Sequence, residues 1–134
     1  MIRALLALLF IVLFFIVTLP LMLILLIIRI KHPDAAERVA RPIIQWVFST
    51  IRIISLTRMD ITGTENIADG PVLFVPNHLS IFDVVILYPI MNRPSSFISK
   101  IELKKIPFLA QWMILIKAVF LDRDNIKQAI GIII

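Results

Sequence analysis

His78 and Asp83 are the two residues of this 134-residue chain whose types and spacing best suit proton transfer. A carboxylate that hydrogen-bonds one ring nitrogen of a histidine fixes its tautomer and leaves the other nitrogen free as a general base near neutral pH. We therefore expect Asp83 to reach back to His78, and His78 to deprotonate a hydroxyl. The alternative is a turn histidine that hydrogen-bonds the backbone, with Asp83 present only as a helix cap.

The residues around this pair predict a strand, a tight turn and the start of a helix. Strand-forming residues from Val72 to Val75 stop at Pro76. Ser80 then suits the N-cap of a helix that has an acid, Asp83, three residues later. Asn77 and His78 are left in the turn at the end of a sheet, where α/β proteins commonly place chemistry.

A second histidine and acid in the chain have the same separation and show that the spacing alone is not specific. His32 and Glu37 follow Lys31 and flank Pro33, with no strand before them. We interpret this pair as the start of a helix at a membrane edge. The case for His78 therefore depends on its surroundings.

Three sequence features between Asn77 and Arg123 resemble those of the glycerolipid acyltransferases, and most closely the 1-acylglycerol-3-phosphate O-acyltransferases. Residues 77–83, NHLSIFD, are similar to the family's first motif, Asn-His-x4-Asp. Residues 117–123, KAVFLDR, resemble the block that ends in Phe-Ile-Asp-Arg. The third feature is Lys100-x2-Leu103-x6-Ala110-x12-Arg123, which has the spacing of the family pattern Lys-x2-Phe-x6-Gly-x12-Arg and matches its two basic ends.

The resemblance runs from about Asp60 to the end and implies a transfer reaction. A fatty acyl group would move from acyl-CoA or acyl carrier protein to the free hydroxyl of lysophosphatidic acid, giving phosphatidic acid without a cofactor or a covalent enzyme intermediate. The family's third motif, Glu-Gly-Thr-Arg, does not occur, so we expect the N-terminal part of an acyltransferase. The alternatives are a catalytically inactive, membrane-anchored lipid-binding or partner-binding module, and thioester hydrolysis.

The same resemblance implies a role for each matching residue. His78 would take the hydroxyl proton and Asp83 would orient it. The substrate-binding residues would be Asn77, Ser80, Lys100, Lys105 and Arg123, with Lys100 and Arg123 on the phosphate. Without the resemblance, Arg123 and Asp122 could form a surface ion pair, and we interpret Lys104 as a solvated lysine.

The amino-acid composition indicates that the protein is associated with a membrane. Hydrophobic residues make up 60% of the chain, above the roughly 45–50% of soluble domains. The net charge is +5, yet residues 59–134 contain seven basic and seven acidic residues, so the whole excess lies before Met59. Such a surplus after an apolar run indicates attraction to anionic lipid and a cytoplasmic location at the cell membrane.

Residue types also argue against several kinds of site. The chain has no cysteine, which excludes disulfides, thiol nucleophiles and Cys-based zinc sites. Its two histidines are far apart and lack clustered carboxylates, so we expect no metal site. Basic residues are not interleaved with aromatics beyond the segment before Met59, so we expect no nucleic-acid partner.

The 25 uncharged residues from Ala4 to Ile28 are long enough to cross a bilayer. A cleaved signal peptide would have a shorter apolar region followed by a small-residue site. Here the run is followed by Arg29, so we predict a retained anchor over residues 1–32. Pro20 leaves open a bent, partly submerged helix.

Residues 33–58 predict an amphipathic helix that lies at the membrane interface. Its polar stripe consists of Arg38, Arg41, Gln45, Ser49, Arg52 and Ser55, and its apolar face of Ile43, Ile44, Trp46, Val47, Phe48, Ile51 and Ile54. We expect the apolar face to enter acyl chains and the arginines to meet headgroups. The alternative is packing of that face on the domain. Pro42 is expected to break the helix in two.

Residues 59–134 predict an incomplete α/β acyltransferase domain. Strands are expected at Arg58–Thr62, Val72–Val75, Ser95–Ser99 and Ala118–Leu121, and helical segments after Ser80, at Ile101–Lys105, from Pro107 to about Ile116, and from Asn125 onward. Strands that alternate with helices argue for the α/β class. The predicted fold is therefore a membrane helix and an interfacial helix followed by this domain.

Overall fold

The computed structural model of the chain describes residues 1–70, 72–75, 82–91 and 94–122. Within these ranges the fold is mostly helical, with a small parallel sheet. The helices are α1 (Ile2–Lys31), α2 (Pro33–Ile54), α3 (Phe82–Ile90) and α4 (Leu109–Leu115). The strands are β1 (Ile98–Lys100) and β2 (Val119–Leu121), and short 3-10 helices cover Thr64–Asn66 and Ile101–Lys105.

Helix α1 contains the predicted apolar run and continues through Pro20 without interruption. Most of its side chains are exposed, while Phe14, Met22 and Leu25 are buried. In the described part of the chain it is the one helix long and apolar enough to cross a membrane, judged by length and composition. The predicted apolar helix is thus present.

Helices α1 and α2 form a hairpin, because His32 alone separates them. Pro33 occupies the first turn of α2, where its missing N–H costs nothing. Ala36 and Ala40 are fully buried one helical turn apart, and their small side chains let neighbouring helices approach closely. The rings of Phe10 and Trp46 lie 5.6 Å apart and join the two helices further along the hairpin.

Helix α2 is continuous through Pro42, so the predicted break there was wrong. A proline inside a helix leaves the carbonyl of the residue four positions earlier without its donor. That residue is Arg38, and both Arg38 and Pro42 are exposed. Water can therefore satisfy the freed carbonyl, which lowers the cost of the proline.

The apolar face of α2 is divided between the protein interior and the surface. Ile44, Val47 and Ile51 are buried in the core with residues of α1, α3 and α4, as the packing alternative describes. Trp46 is 57% exposed, and Ile53 is also exposed. The interfacial position of α2 stays a prediction.

The sheet is smaller than the predicted one. Strands β1 and β2 are parallel, with Ile98 opposite Val119 and Lys100 opposite Leu121. They confirm, with shifted bounds, the strands predicted at residues 95–99 and 118–121.

The strands predicted at residues 58–62 and 72–75 were wrong, because both segments lack regular secondary structure. Strand propensity reflects packing on neighbouring strands, and in the described sheet β1 and β2 pair only with each other. Leu73 and Val75 are 78% and 81% exposed, and Val72 and Phe74, which alternate with them, are 38% and 39% exposed, so neither side of this segment is buried.

Helix α4 begins two residues later than predicted and joins the hairpin to the sheet. Phe108 has a φ of +63°, which prevents a helical start at Pro107. The Phe108 ring lies 6.0 Å from that of Phe15, and the buried Trp112 ring lies 5.2 Å from that of Phe14. The described residues combine helices with a small parallel sheet, so the α/β prediction is confirmed in part. The domain bounds 1–32, 33–58 and 59–134 stay predictions, and the helix from Asn125 lies outside the described residues.

Candidate functional site

Four of the seven predicted site residues lie outside the described ranges: Asn77, His78, Ser80 and Arg123. The other three, Asp83, Lys100 and Lys105, are described. The distance from Asp83 to His78 and that from Lys100 to Arg123 therefore stay predictions. The described residues show which helices and strands flank these positions in the sequence.

Asp83 is the second residue of α3, so it lies in the first helical turn. A carboxylate there interacts favourably with the exposed N–H groups and the helix dipole. The predicted turn with Asn77 and His78 directly precedes this helix in the chain. The helix predicted after Ser80 is thus confirmed from Phe82 onward.

Lys100 is the last residue of β1 and lies opposite Leu121, the last residue of β2. The carboxyl ends of parallel strands meet at one edge of a sheet, where α/β proteins bind ligands. Arg123 follows Leu121 by two residues in the sequence. Lys105 ends the 3-10 helix after β1 and is exposed, as is Lys104.

An ionic cluster that sequence reasoning missed joins α2 to the turn before β2. The carboxylate of Glu37 is buried, with the residue 8% exposed. Lys117 Nζ lies 3.0 Å from Glu37 Oε2 and 2.5 Å from Asp34 Oδ1. The hydrogen bond to Lys117 lowers the pKa of Asp34, and the hydrogen bonds to Asp34 and Glu37 raise the pKa of Lys117.

Two further polar groups lie near Glu37 and complete what we call the Glu37 cluster: Asp34, Glu37, Arg41, Tyr88 and Lys117. Arg41 Nη1 and the Tyr88 hydroxyl are buried without a hydrogen-bond partner in the described part of the chain. Burial, and to a smaller extent the charge of Glu37, raises the pKa of Tyr88 to about 12, while Arg41 opposes the shift. The cluster therefore brings α2, α3 and the α4–β2 turn together.

Gln45 extends this contact along α2. Its Nε2 donates to the carbonyl oxygens of Met91 at 3.0 Å and Tyr88 at 3.4 Å. The last carbonyls of a helix lack partners within it, so a side-chain donor stabilises the end of α3. Gln45, one residue of the predicted polar stripe, thus binds the end of α3.

Lys117 is also fixed through its backbone. Its φ is +58°, its N–H donates to the carbonyl of Ile114 at 3.1 Å, and its own carbonyl accepts from Ser96 Oγ. Strand β2 begins two residues later. Lys117 therefore connects the end of α4, the approach to β1 and the start of α2.

A signal for this cluster exists in the sequence. Glu37, Arg41 and Gln45 recur at intervals of four, which places them on one face of a helix. The sequence pattern assigns Glu37 only to the start of a helix. Its partner Lys117 is 80 positions away, and no local pattern predicts that contact.

Comparison with known proteins gives a family match and several curated relatives. The family model described as Acyltransferase matches residues 58–133. The 1-acyl-sn-glycerol-3-phosphate acyltransferase of Saccharomyces cerevisiae is 30% identical over 91 residues, covering 64% of this chain and 30% of that protein. The probable 1-acyl-sn-glycerol-3-phosphate acyltransferase of Mycoplasma genitalium is 34% identical over 98 residues, covering 69% and 34%. Its Mycoplasma pneumoniae counterpart is 36% identical over 88 residues, covering 58% and 33%.

The chain spans about a third of the length of these curated relatives. No solved structure matches it. The family match includes the predicted first motif, α3, both strands and Arg123, and it covers more than half of the 134 residues. The chain therefore belongs to the Acyltransferase family and is acyltransferase-like.

Proposed function

We propose that the protein is a membrane-associated O-acyltransferase that converts lysophosphatidic acid to phosphatidic acid, with acyl-CoA or acyl carrier protein as donor. The observation that carries this proposal is the family match over residues 58–133, which contains every predicted site residue. The names of three curated relatives point to the same acceptor class.

His78 is the general base of the proposed reaction. It takes the proton of the acceptor hydroxyl, while Asp83 in the first turn of α3 orients its ring. The alkoxide attacks the thioester carbonyl, the carbon–sulfur bond breaks, and the imidazolium returns the proton to the leaving thiolate. The new ester and the free thiol balance the hydroxyl and the thioester consumed.

The acceptor phosphate binds at the carboxyl ends of β1 and β2. Lys100 ends β1 beside the last residue of β2, two residues before Arg123. A guanidinium binds phosphate oxygens in a bidentate manner and an ammonium adds a point charge. Lys105, Asn77 and Ser80 complete the set of substrate-binding residues.

In this proposal the site lies at the cytoplasmic surface of the membrane, and the apolar surface of the hairpin supports that position. The face of α2 away from the core exposes Val39, Trp46 and Ile53 beside the exposed apolar side chains of α1. Between the helices lies an apolar groove of about 380 Å³, lined by Phe14, Thr18, Leu21, Pro42, Ile43 and Trp46. Apolar surface of this extent on a hairpin is suited to acyl chains, and the basic residues after α1 are suited to anionic headgroups.

An acyl-transfer assay tests the proposal. The protein, expressed from its complete gene, is offered labelled acyl-CoA or acyl carrier protein with a panel of lysophospholipids, and products are separated by chromatography. We expect labelled phosphatidic acid from lysophosphatidic acid. Release of free fatty acid alone would show a thioesterase, and vesicle binding without turnover would show a lipid-binding module; either result contradicts the proposal.

A further inference from the structure

We propose that Glu37 and Lys117 are positioning residues for the acceptor phosphate site. Their ion pair ties the turn before β2 to α2 and so holds the strand end that leads to Arg123. This inference rests on the proposed function, because it assigns the pair a part in binding lysophosphatidic acid.

The first observation is the burial of Glu37. A buried carboxylate is stable only when it is paired, because removing it from water is costly. Lys117 Nζ lies 3.0 Å from its oxygen, while the lysine side chain itself is 43% exposed. Lys117 therefore contributes mainly its charge, which pairs with Glu37, and contributes little packing to the core.

The second observation is that hydrogen bonds fix the backbone between Lys117 and strand β2. Ser96 Oγ and the Ile114 carbonyl hold its backbone on the two sides of the turn. Val119 N then donates to the Phe97 carbonyl at 2.9 Å as β2 joins β1. Strand β2 has only three residues, Val119–Leu121, so a displacement of Lys117 reaches its carboxyl end, where Leu121 lies opposite Lys100.

The third observation is that the Glu37 cluster also reaches α3. Tyr88 is buried near Glu37 and Arg41, and Gln45 on the same face of α2 binds the end of that helix. Asp83 lies in the first turn of α3. One side of α2 thus contacts both the helix that carries the proposed orienting acid and the turn that precedes β2.

The kinetic test compares Lys117→Met and Glu37→Gln with the exposed control Lys104→Met, in protein expressed from its complete gene. We expect Lys117→Met to raise KM for lysophosphatidic acid by about tenfold while kcat changes less than about threefold, because a misplaced phosphate site weakens ground-state and transition-state binding alike. Lys117→Arg, which keeps the charge, should restore KM. A purely structural role would lower kcat by reducing the folded fraction and leave KM unchanged.

Amide hydrogen exchange on the same variants does not depend on turnover. Lys117→Met should increase exchange at residues 119–121 and 82–90 more than in the α1 core around Phe14, and Lys117→Arg should not. If the wild-type protein transfers no acyl group, the proposed function fails, and exchange alone decides whether the ion pair holds β2. Exchange or kinetics identical to those of Lys104→Met would overturn the positioning role.

Discussion

The rings of Phe14 and Trp112 lie 5.2 Å apart with an interplanar angle of 40°, and both residues are buried. Phe14 lies near the middle of α1. Trp112 lies in α4, which comes between β1 and β2 in the sequence. The first helix is therefore packed on the domain. Whatever position α1 takes in a membrane, Trp112 therefore lies close to the depth of Phe14.

This contact predicts a large loss of stability in Phe14→Ala. Removing a buried phenyl ring costs about 3–5 kcal/mol through lost transfer free energy and a residual cavity. Leu9→Ala in the same helix is the matched control, because Leu9 is exposed. Chemical unfolding in a fixed detergent measures both. Equal stabilities would show that α1 does not pack on α4 in solution.

Tyr88 predicts a clean spectroscopic signal, since the chain contains one tyrosine. We expect tyrosinate absorbance to appear with a pKa of about 12 in the folded protein. Glu37→Gln should lower this pKa because it removes a negative charge, and Arg41→Gln should raise it because it removes a positive one. A rapid pH jump, read before unfolding, measures the folded value.

The unfolded chain in denaturant is the control for this titration, with an expected pKa close to the ordinary value of 10.0. A folded pKa equal to the denatured one would contradict the burial of Tyr88. A folded pKa that is high but insensitive to Glu37→Gln would separate the tyrosine from the Glu37 cluster.

The Lys117 ion pairs predict a plateau of stability between acid and alkaline pH. Because the pKa of Asp34 is lowered, its contribution to the free energy of unfolding is fully present above pH 3.8, its ordinary pKa. That contribution is lost as the pH falls through the pKa of the folded state. Because the pKa of Lys117 is raised, its contribution to the free energy of unfolding is fully present below pH 10.5, its ordinary pKa. That contribution is lost as the pH rises through the pKa of the folded state. Denaturant midpoints measured across pH should fall on both sides, and Lys117→Met should weaken both falls. Unchanged falls in that variant would contradict the assignment.

The two tryptophans predict opposite responses to brominated lipids. Trp46 is 57% exposed on the outer side of α2, whereas Trp112 is 2% exposed. In vesicles with brominated acyl chains, Trp112→Phe leaves Trp46 as the emitter and should be strongly quenched. Trp46→Phe leaves Trp112 and should be quenched little. Absence of quenching at Trp46 would contradict a lipid-facing hairpin, and equal quenching of both residues would contradict the burial of Trp112.

The local sequence pattern was sufficient to predict elements that form without a distant partner. The apolar run of α1 and the spacing of the Asp83 helix predicted both helices, because periodicity and length need no distant partner. Val72–Val75 and Pro42 show the limit. A strand needs a neighbour with which to pair, and a proline inside a helix is tolerated where water reaches the freed carbonyl. The local sequence determines neither condition.

The candidate site divides in the same way. Lys100 at a strand end and Asp83 in a first helical turn were predicted from local residue types and from family resemblance. The Glu37 cluster was missed because its ion pair joins residues 80 positions apart. The side of α2 that contains Arg41 and Gln45 was predicted correctly as polar, but its partner is α3, and only tertiary packing determines that choice.

The central claim is tested most directly by measuring acyl transfer to lysophosphatidic acid in His78→Ala beside His32→Ala. Both variants remove a histidine five residues before an acid, but His32 lies in the turn between α1 and α2. The account predicts that His78→Ala abolishes transfer with membrane binding intact, while His32→Ala retains activity close to wild type. Transfer by His78→Ala at the wild-type rate would contradict it.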